Sequence, residues 1–211
     1  MMEITNFYGN LLYQTDSYPL VRDHLDKIAN RMLEGMLENR DVVFREINNY
    51  HPDYLGQSIK KLKKLNLTIN DCRTTIANEY GFKNWSEVEK LKDSYDQNFE
   101  KAINLLVNGD FKELKKLITS YPDLVTRTSK YGHKATLLIY TASNGVEMWR
   151  QKVPKNLPEI TRFLIDQGAD INATIYTYGG YFKTADLLAT STHPFETGIG
   201  AEMMKILNLE S

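Results

Sequence analysis

The sequence predicts an all-α fold, a helical N-terminal region followed by a short, irregular run of α-hairpins. Three observations carry this. Proline and glycine are sparse, six and twelve in 211 residues. Apolar residues recur every three or four positions over long stretches, the spacing of an amphipathic helix. From residue 99 onward such stretches come in pairs, separated by Asn-Gly, Tyr-Pro or Gly-Gly punctuation.

Taken in order, Leu20, Val21, Leu25, Ile28, Met32, Leu33 and Met36 form one helical stripe over residues 20–38. Val42, Val43, Phe44 and Ile47 predict a second, short helix. His51-Pro52 ends it, because the residue before a proline is steered away from the helical region. Ile59, Leu62 and Leu65 predict a helix over 56–65, its wet face carrying Lys60, Lys61, Lys63 and Lys64. Thr68, three residues before Asp71, reads as a capping box opening a helix that runs to Tyr80, with Gly81 as its stop. Asn84 reads as the cap of a further helix over SEVEKLKDSYDQ.

The paired pattern then begins. A helix over 99–107 and one over 111–121 are separated by Asn108-Gly109-Asp110 and closed by Tyr121-Pro122. A helix over 136–143 follows, then the linker VEMWRQKVPKN, then a helix over 158–167 with Pro158 in its first turn and Gly168 as its stop. After a turn at Tyr178-Gly179-Gly180, helices are expected over 184–191 and 199–207, joined by THPFETG. The organisation expected is a helical capping region, 1–97, and a repeat region, 98–211.

Two runs carry a family resemblance. The stretch from Ala135 to Gly145, ATLLIYTASNG, resembles the first-helix signature of ankyrin repeats, and the stretch from Glu159 to Ala173, EITRFLIDQGADINA, resembles their second-helix and finger signature. The VEMWRQKVPKN insertion inflates the period. Residues 99–126 and 178–208 resemble degenerate flanking repeats. Residues 75–92, with Tyr80-Gly81-Phe82 and Trp85, resemble a segment found ahead of ankyrin repeats in some bacterial proteins, Phe82 and Trp85 reading as core wedges. The resemblance implies a scaffold that holds a protein partner on its fingers and concave helix surface, and not an enzyme.

Composition agrees with a folded, water-exposed chain: 42% hydrophobic, 25% charged, net charge -1. That charge argues against nucleic acid as the partner, since phosphate-backbone binding draws on a basic surplus. The single cysteine, Cys72, fits a reducing compartment. No basic segment leads into an apolar run at the N-terminus, and no stretch reaches the ~18 apolar residues of a membrane span. The expectation is a cytoplasmic protein away from membranes.

No phosphate-binding loop, dinucleotide fingerprint, HExxH or GxSxG occurs, so no catalytic residue, cofactor or metal is expected. The candidate contact residues are aromatic: Tyr131, Tyr140, Trp149, Tyr176, Tyr178 and Tyr181. Large rings on turns give contact area at low entropy cost. Packing between neighbouring repeats is the competing reading. A second candidate is a polar pocket of a small-ligand binder or enzyme, formed by His133, Asp186 and His193. Finally, Met203, Met204, Ile206 and Leu207 have no following repeat to cover them, which leaves a homodimer through the last helix open.

Overall fold

A computed structural model describes residues 2–207. The chain forms two compact units, Met1–Tyr95 and Asp96–Ser211. The expected boundary at 97/98 falls just inside the second. Both units are mostly helical. No helix of the described residues is long and apolar enough to cross a membrane.

The first unit contains α1 (Met2–Tyr8), α2 (Val21–Leu37), α3 (Asp41–Tyr50), α4 (Ile59–Leu62), α5 (Ile69–Glu79) and α6 (Trp85–Glu89). The stripe read on α2 is its buried face: Val21, Leu25, Ile28, Ala29 and Met32 are almost wholly buried, against α3 and α5. The capping box on α5 forms as expected. Asp71 accepts from the Thr68 backbone N–H at 2.7 Å, and Thr68 accepts from a first-turn N–H.

Three features of this unit depart from the sequence reading. Helix α1 was not foreseen. It exists because Ile4, Phe7 and Tyr8 all turn inward, a stripe too short to stand out by period. The expected helix over 56–65 reduces to one turn, α4, with Leu62 buried, while Lys63 reaches back to Asp41 at 2.5 Å. Helix α6 stops at Glu89 instead of running to Gln97. The carbonyl of Asp93 instead accepts from the Val21 N–H at 3.0 Å, and the Tyr95 hydroxyl lies 2.8 Å from His24 Nδ1. Phe82 is buried as expected of a wedge, whereas Trp85 is half-buried beneath the Arg73 guanidinium.

The second unit contains α7 (Gln97–Asn108), α8 (Phe111–Ser120), α9 (Leu137–Tyr140), α10 (Leu157–Asp166), strands β1 (Thr174–Thr177) and β2 (Gly180–Lys183), then α11 (Thr184–Thr190), α12 (His193–Glu196) and α13 (Gly200–Leu207). Helices α7, α9 and α11 pack in succession. Helix α8 packs on α7, α10 on α9, and α13 on both α10 and α11. Phe111 and Phe163 join α8 to α10 edge-to-face, with ring centres 5.5 Å apart. One core runs through these helices, from Phe99, Ile103 and Leu106 through Leu137, Leu138 and Ile160 to Leu187, Leu188 and Met203.

Glycine marks the helix ends as read. Gly109 and Gly168 take the left-handed backbone at φ +77° and +92°, open to glycine at little cost. The chain is mostly helical, as expected, with one small sheet: the turn at Tyr178-Gly179 closes an antiparallel hairpin in which Tyr176 faces Tyr181 and Thr177 faces Gly180. The C-terminal helix, by contrast with the expectation, is not left bare. Met203, Ile206 and Leu207 are buried against α10 and α11, and Met204 is half-buried. The apolar surface that suggested a homodimer is covered within the chain.

A tyrosine-bearing hairpin as candidate interaction surface

Hairpin β1–β2 is built from alternation. Ile175 is buried and Phe182 half-buried on the inner face, while Tyr176 and Tyr181 lie on the outer one. The two outer tyrosines meet edge-to-face across the strands with centres 5.2 Å apart. Both remain exposed, Tyr176 at 42% and Tyr181 at 74%. Aromatic cross-strand pairs of this kind stabilise a sheet, yet this one leaves both residues open to solvent.

The two-residue loop is Tyr178-Gly179, with φ +51° and +80°. Positive φ at both positions defines the type I′ turn, which favours Asn-Gly because a bulky side chain in the left-handed region is strained. Tyr178 occupies that strained position and is 64% exposed. Its hydroxyl donates to Asn144 Oδ1 at 2.8 Å.

Asn144 belongs to the segment after α9, and it clamps the hairpin to its surroundings. Its Nδ2 donates to the Leu187 carbonyl at 3.0 Å and to Thr190 Oγ1 at 2.9 Å, both on α11. Gly145, next to it, lies under the hairpin at φ +74°; a Cβ there would meet Leu187 Cδ2 at 2.9 Å and Thr177 Cγ2 at 3.2 Å. The close approach of β1 and α11 to this loop therefore needs glycine.

The loop is anchored in turn by a buried polar cluster. Arg150 is wholly buried. Its guanidinium donates to Glu100 Oε2 at 2.6 Å and Asn104 Oδ1 at 3.3 Å on α7, and to Glu147 Oε1 at 3.0 Å. The Tyr140 hydroxyl also donates to Glu147, at 3.3 Å. The Ala135 N–H donates to His133 Nδ1 at 3.1 Å, so Nε2 carries the hydrogen that bonds Glu147 Oε2 at 3.2 Å. Trp149, Tyr131 and Tyr140 surround the guanidinium, with ring centres 4.4, 5.8 and 5.9 Å from its carbon. Burial pushes the Glu100 carboxyl up against the lowering effect of Arg150. Burial also pushes Glu147 upward, but His133 and Arg150 outweigh it and hold Glu147 below the usual carboxylate range.

This geometry divides the candidate residues. Tyr176, Tyr178 and Tyr181 stand on one hairpin, open to solvent. Tyr131, Tyr140 and Trp149 are at most 1% exposed and cannot be displayed as placed. They are corrected from contact residues to the aromatic wall around Arg150, because a buried guanidinium is best enclosed by ring faces and paired carboxylates. The polar trio is not brought together. His133 is buried in the Arg150 cluster, Asp186 accepts from the Lys183 N–H at the start of α11, and the half-buried His193 lies 3.5 Å from Glu196. Among the described residues no group of three His, Cys, Asp or Glu side chains is arranged to hold a metal ion.

Sequence reasoning missed Asn144, Glu147 and Glu100. Glu100 left a trace: it shares the buried stripe of α7 with Ile103 and Val107, at spacings of three and four. A glutamate on such a stripe calls for a buried partner. Asn144 left none, as Tyr178, Leu187 and Thr190 lie on later elements, and Glu147 left only Arg150 three residues on, in a linker with no helical stripe to mark it as buried.

Compared with known proteins, the chain matches no family model, no curated protein and no solved structure at a significant level.

Proposed function

We propose that this chain is a protein-interaction module and that its contact surface is the β1–β2 hairpin. The observation that carries this is Tyr178, a large aromatic residue in a left-handed turn position where asparagine or glycine would fit without strain, the residue left 64% exposed. Strained, exposed residues fixed by surrounding bonds are characteristic of binding sites. Tyr176 and Tyr181 extend the surface, and the aromatic side chains most enriched at binding hot spots include tyrosine. The resemblance of residues 135–145 and 159–173 to ankyrin repeats supports the same reading, since in that family projecting turns hold protein partners.

The reading is tested by placing a photo-crosslinking amino acid at position 181. Irradiation in the native cell should yield a discrete adduct with one protein. The same probe at Lys112, an exposed position on α8 off the hairpin, should not yield that adduct. Equal labelling from both positions counts against the hairpin as the contact surface.

A further inference from the structure

The first unit holds two buried acids that the interaction reading does not use. Glu46 on α3 is 1% exposed and Glu79 on α5 is 4% exposed. The two helices pack together and bring the two carboxyl groups within hydrogen-bonding reach of one another. The Tyr8 hydroxyl, from α1, donates to Glu46 Oε2 at 2.8 Å. Carboxylates are acceptors only, so a hydrogen bond between two of them exists only when one carries a proton.

We infer that Glu46 and Glu79 share a single proton in the folded protein, and that this proton keeps α1 docked on α3 through Tyr8. Helix α1 has just two turns and is marginal alone. Ile4, Phe7 and Tyr8 seat it, with Phe7 lying over Gly35 of α2, where no Cβ intervenes. Two buried negative charges side by side beneath Tyr8 would repel each other in a medium that screens them poorly. Relief comes by opening the seat to water, and the short helix is the element with least to hold it.

The surroundings fit a shared proton. Burial pushes the Glu46 carboxyl well above its ordinary range, and the charge of Glu79 adds to this. Burial likewise pushes Tyr8 up, with Glu46, Glu79 and Tyr80 contributing. Cys72, also facing Glu46, is pushed up to about 12 by burial and by Asp71 and Glu46. Arg45 of α3 pairs with Glu3, Arg31 of α2 lies over the Phe7 ring, and Arg73 of α5 pairs with Asp26. His51 sits beside Asp71, 3.6 Å away. His24 bonds Tyr95.

The sign follows from the raised carboxyl. Its contribution to stability is complete below the unfolded value, about 4.3 for Glu, and is lost as pH rises through the raised folded value. The unit should therefore loosen toward alkaline pH, with α1 leaving first.

The test compares wild type with Glu46→Gln, whose amide donates to Glu79 and accepts from Tyr8 with no shared proton needed. Amide hydrogen exchange of residues 2–8 is followed by mass spectrometry between about pH 5 and about pH 9, a range free of ordinary carboxyl and tyrosine titrations. Protection in the wild type should fall by up to about tenfold per pH unit as pH rises from the ordinary carboxyl value toward the raised value of the folded pair, and level off above it. Protection in the variant should hold steady, and His24 and His51 cancel in the comparison. A carboxylic-acid carbonyl band at neutral pH, present in the wild type and absent from the variant, should appear in the infrared difference spectrum. Glu79→Gln places the amide at the other end and serves if the first variant does not fold. Parallel loss of protection in both proteins, a flat wild-type curve, or no acid band overturns the inference.

Discussion

The hydroxyl of Tyr178 donates to the side-chain oxygen of Asn144 at 2.8 Å, tying the tip of a hairpin to a loop 34 residues earlier. Asn144 spends its two amide hydrogens on α11, at the Leu187 carbonyl and Thr190 Oγ1. One side chain thus fixes the hairpin, the loop and the helix in a single geometry. Its oxygen also accepts from the Gly145 N–H at 2.9 Å, so replacing it by alanine removes four hydrogen bonds worth about 1 kcal/mol each. Hydrogen exchange across residues 174–183 should quicken by at least about tenfold in Asn144→Ala, while helical circular dichroism stays at the wild-type level. Unchanged exchange would show that the clamp holds nothing.

Tyr178→Asn separates strain from contact. Asparagine suits the first position of a type I′ turn. Relief of about 1 kcal/mol of left-handed strain should roughly offset the lost bond to Asn144. Thermal stability should stay within about 1 kcal/mol of wild type while partner affinity falls. If Tyr178 serves packing alone, the variant will instead melt markedly earlier.

Arg150 sits between Glu100 and Glu147 with no access to water. Arg150→Ala leaves two carboxyl groups in the core without their cation, a change that costs about 3–5 kcal/mol. Chemical denaturation should show it. Adding Glu100→Gln and Glu147→Gln to that variant removes the buried charge and should recover part of the loss.

Cys72 is wholly buried, and its thiol is pushed up to about 12. Since the thiolate is the reactive form, the folded protein should resist alkylation at mildly alkaline pH and react readily in denaturant. Rapid labelling of the native chain would contradict the packing around α5.

The parts legible in the sequence are those set by near neighbours. The Thr68–Asp71 capping box, the stripe of α2 and the glycine stops at 109 and 168 depend on residues within a few positions of one another. The turn at Tyr178-Gly179 was legible too, whereas the sequence left Tyr176, Tyr178 and Tyr181 open between display and packing. What was not legible is set at long range. Arg150 and Glu100 are fifty positions apart, and without that pair nothing separates Trp149 on a buried loop from Trp149 on a displayed one. The early stop of α6 is of the same kind, because Asp93 and Tyr95 are drawn to α2. His133, Asp186 and His193 each found a partner nearer than one another.

The central claim is that the hairpin tyrosines bind a protein. Its most direct test is paired affinity capture from the native lysate, with the wild-type chain and Tyr178→Ala/Tyr181→Ala as baits and quantitative mass spectrometry as readout. A stoichiometric protein partner that is lost from the variant, while the variant keeps its helical circular dichroism, is the result predicted. Equal capture by both baits, or a variant that loses its helices, would contradict the claim.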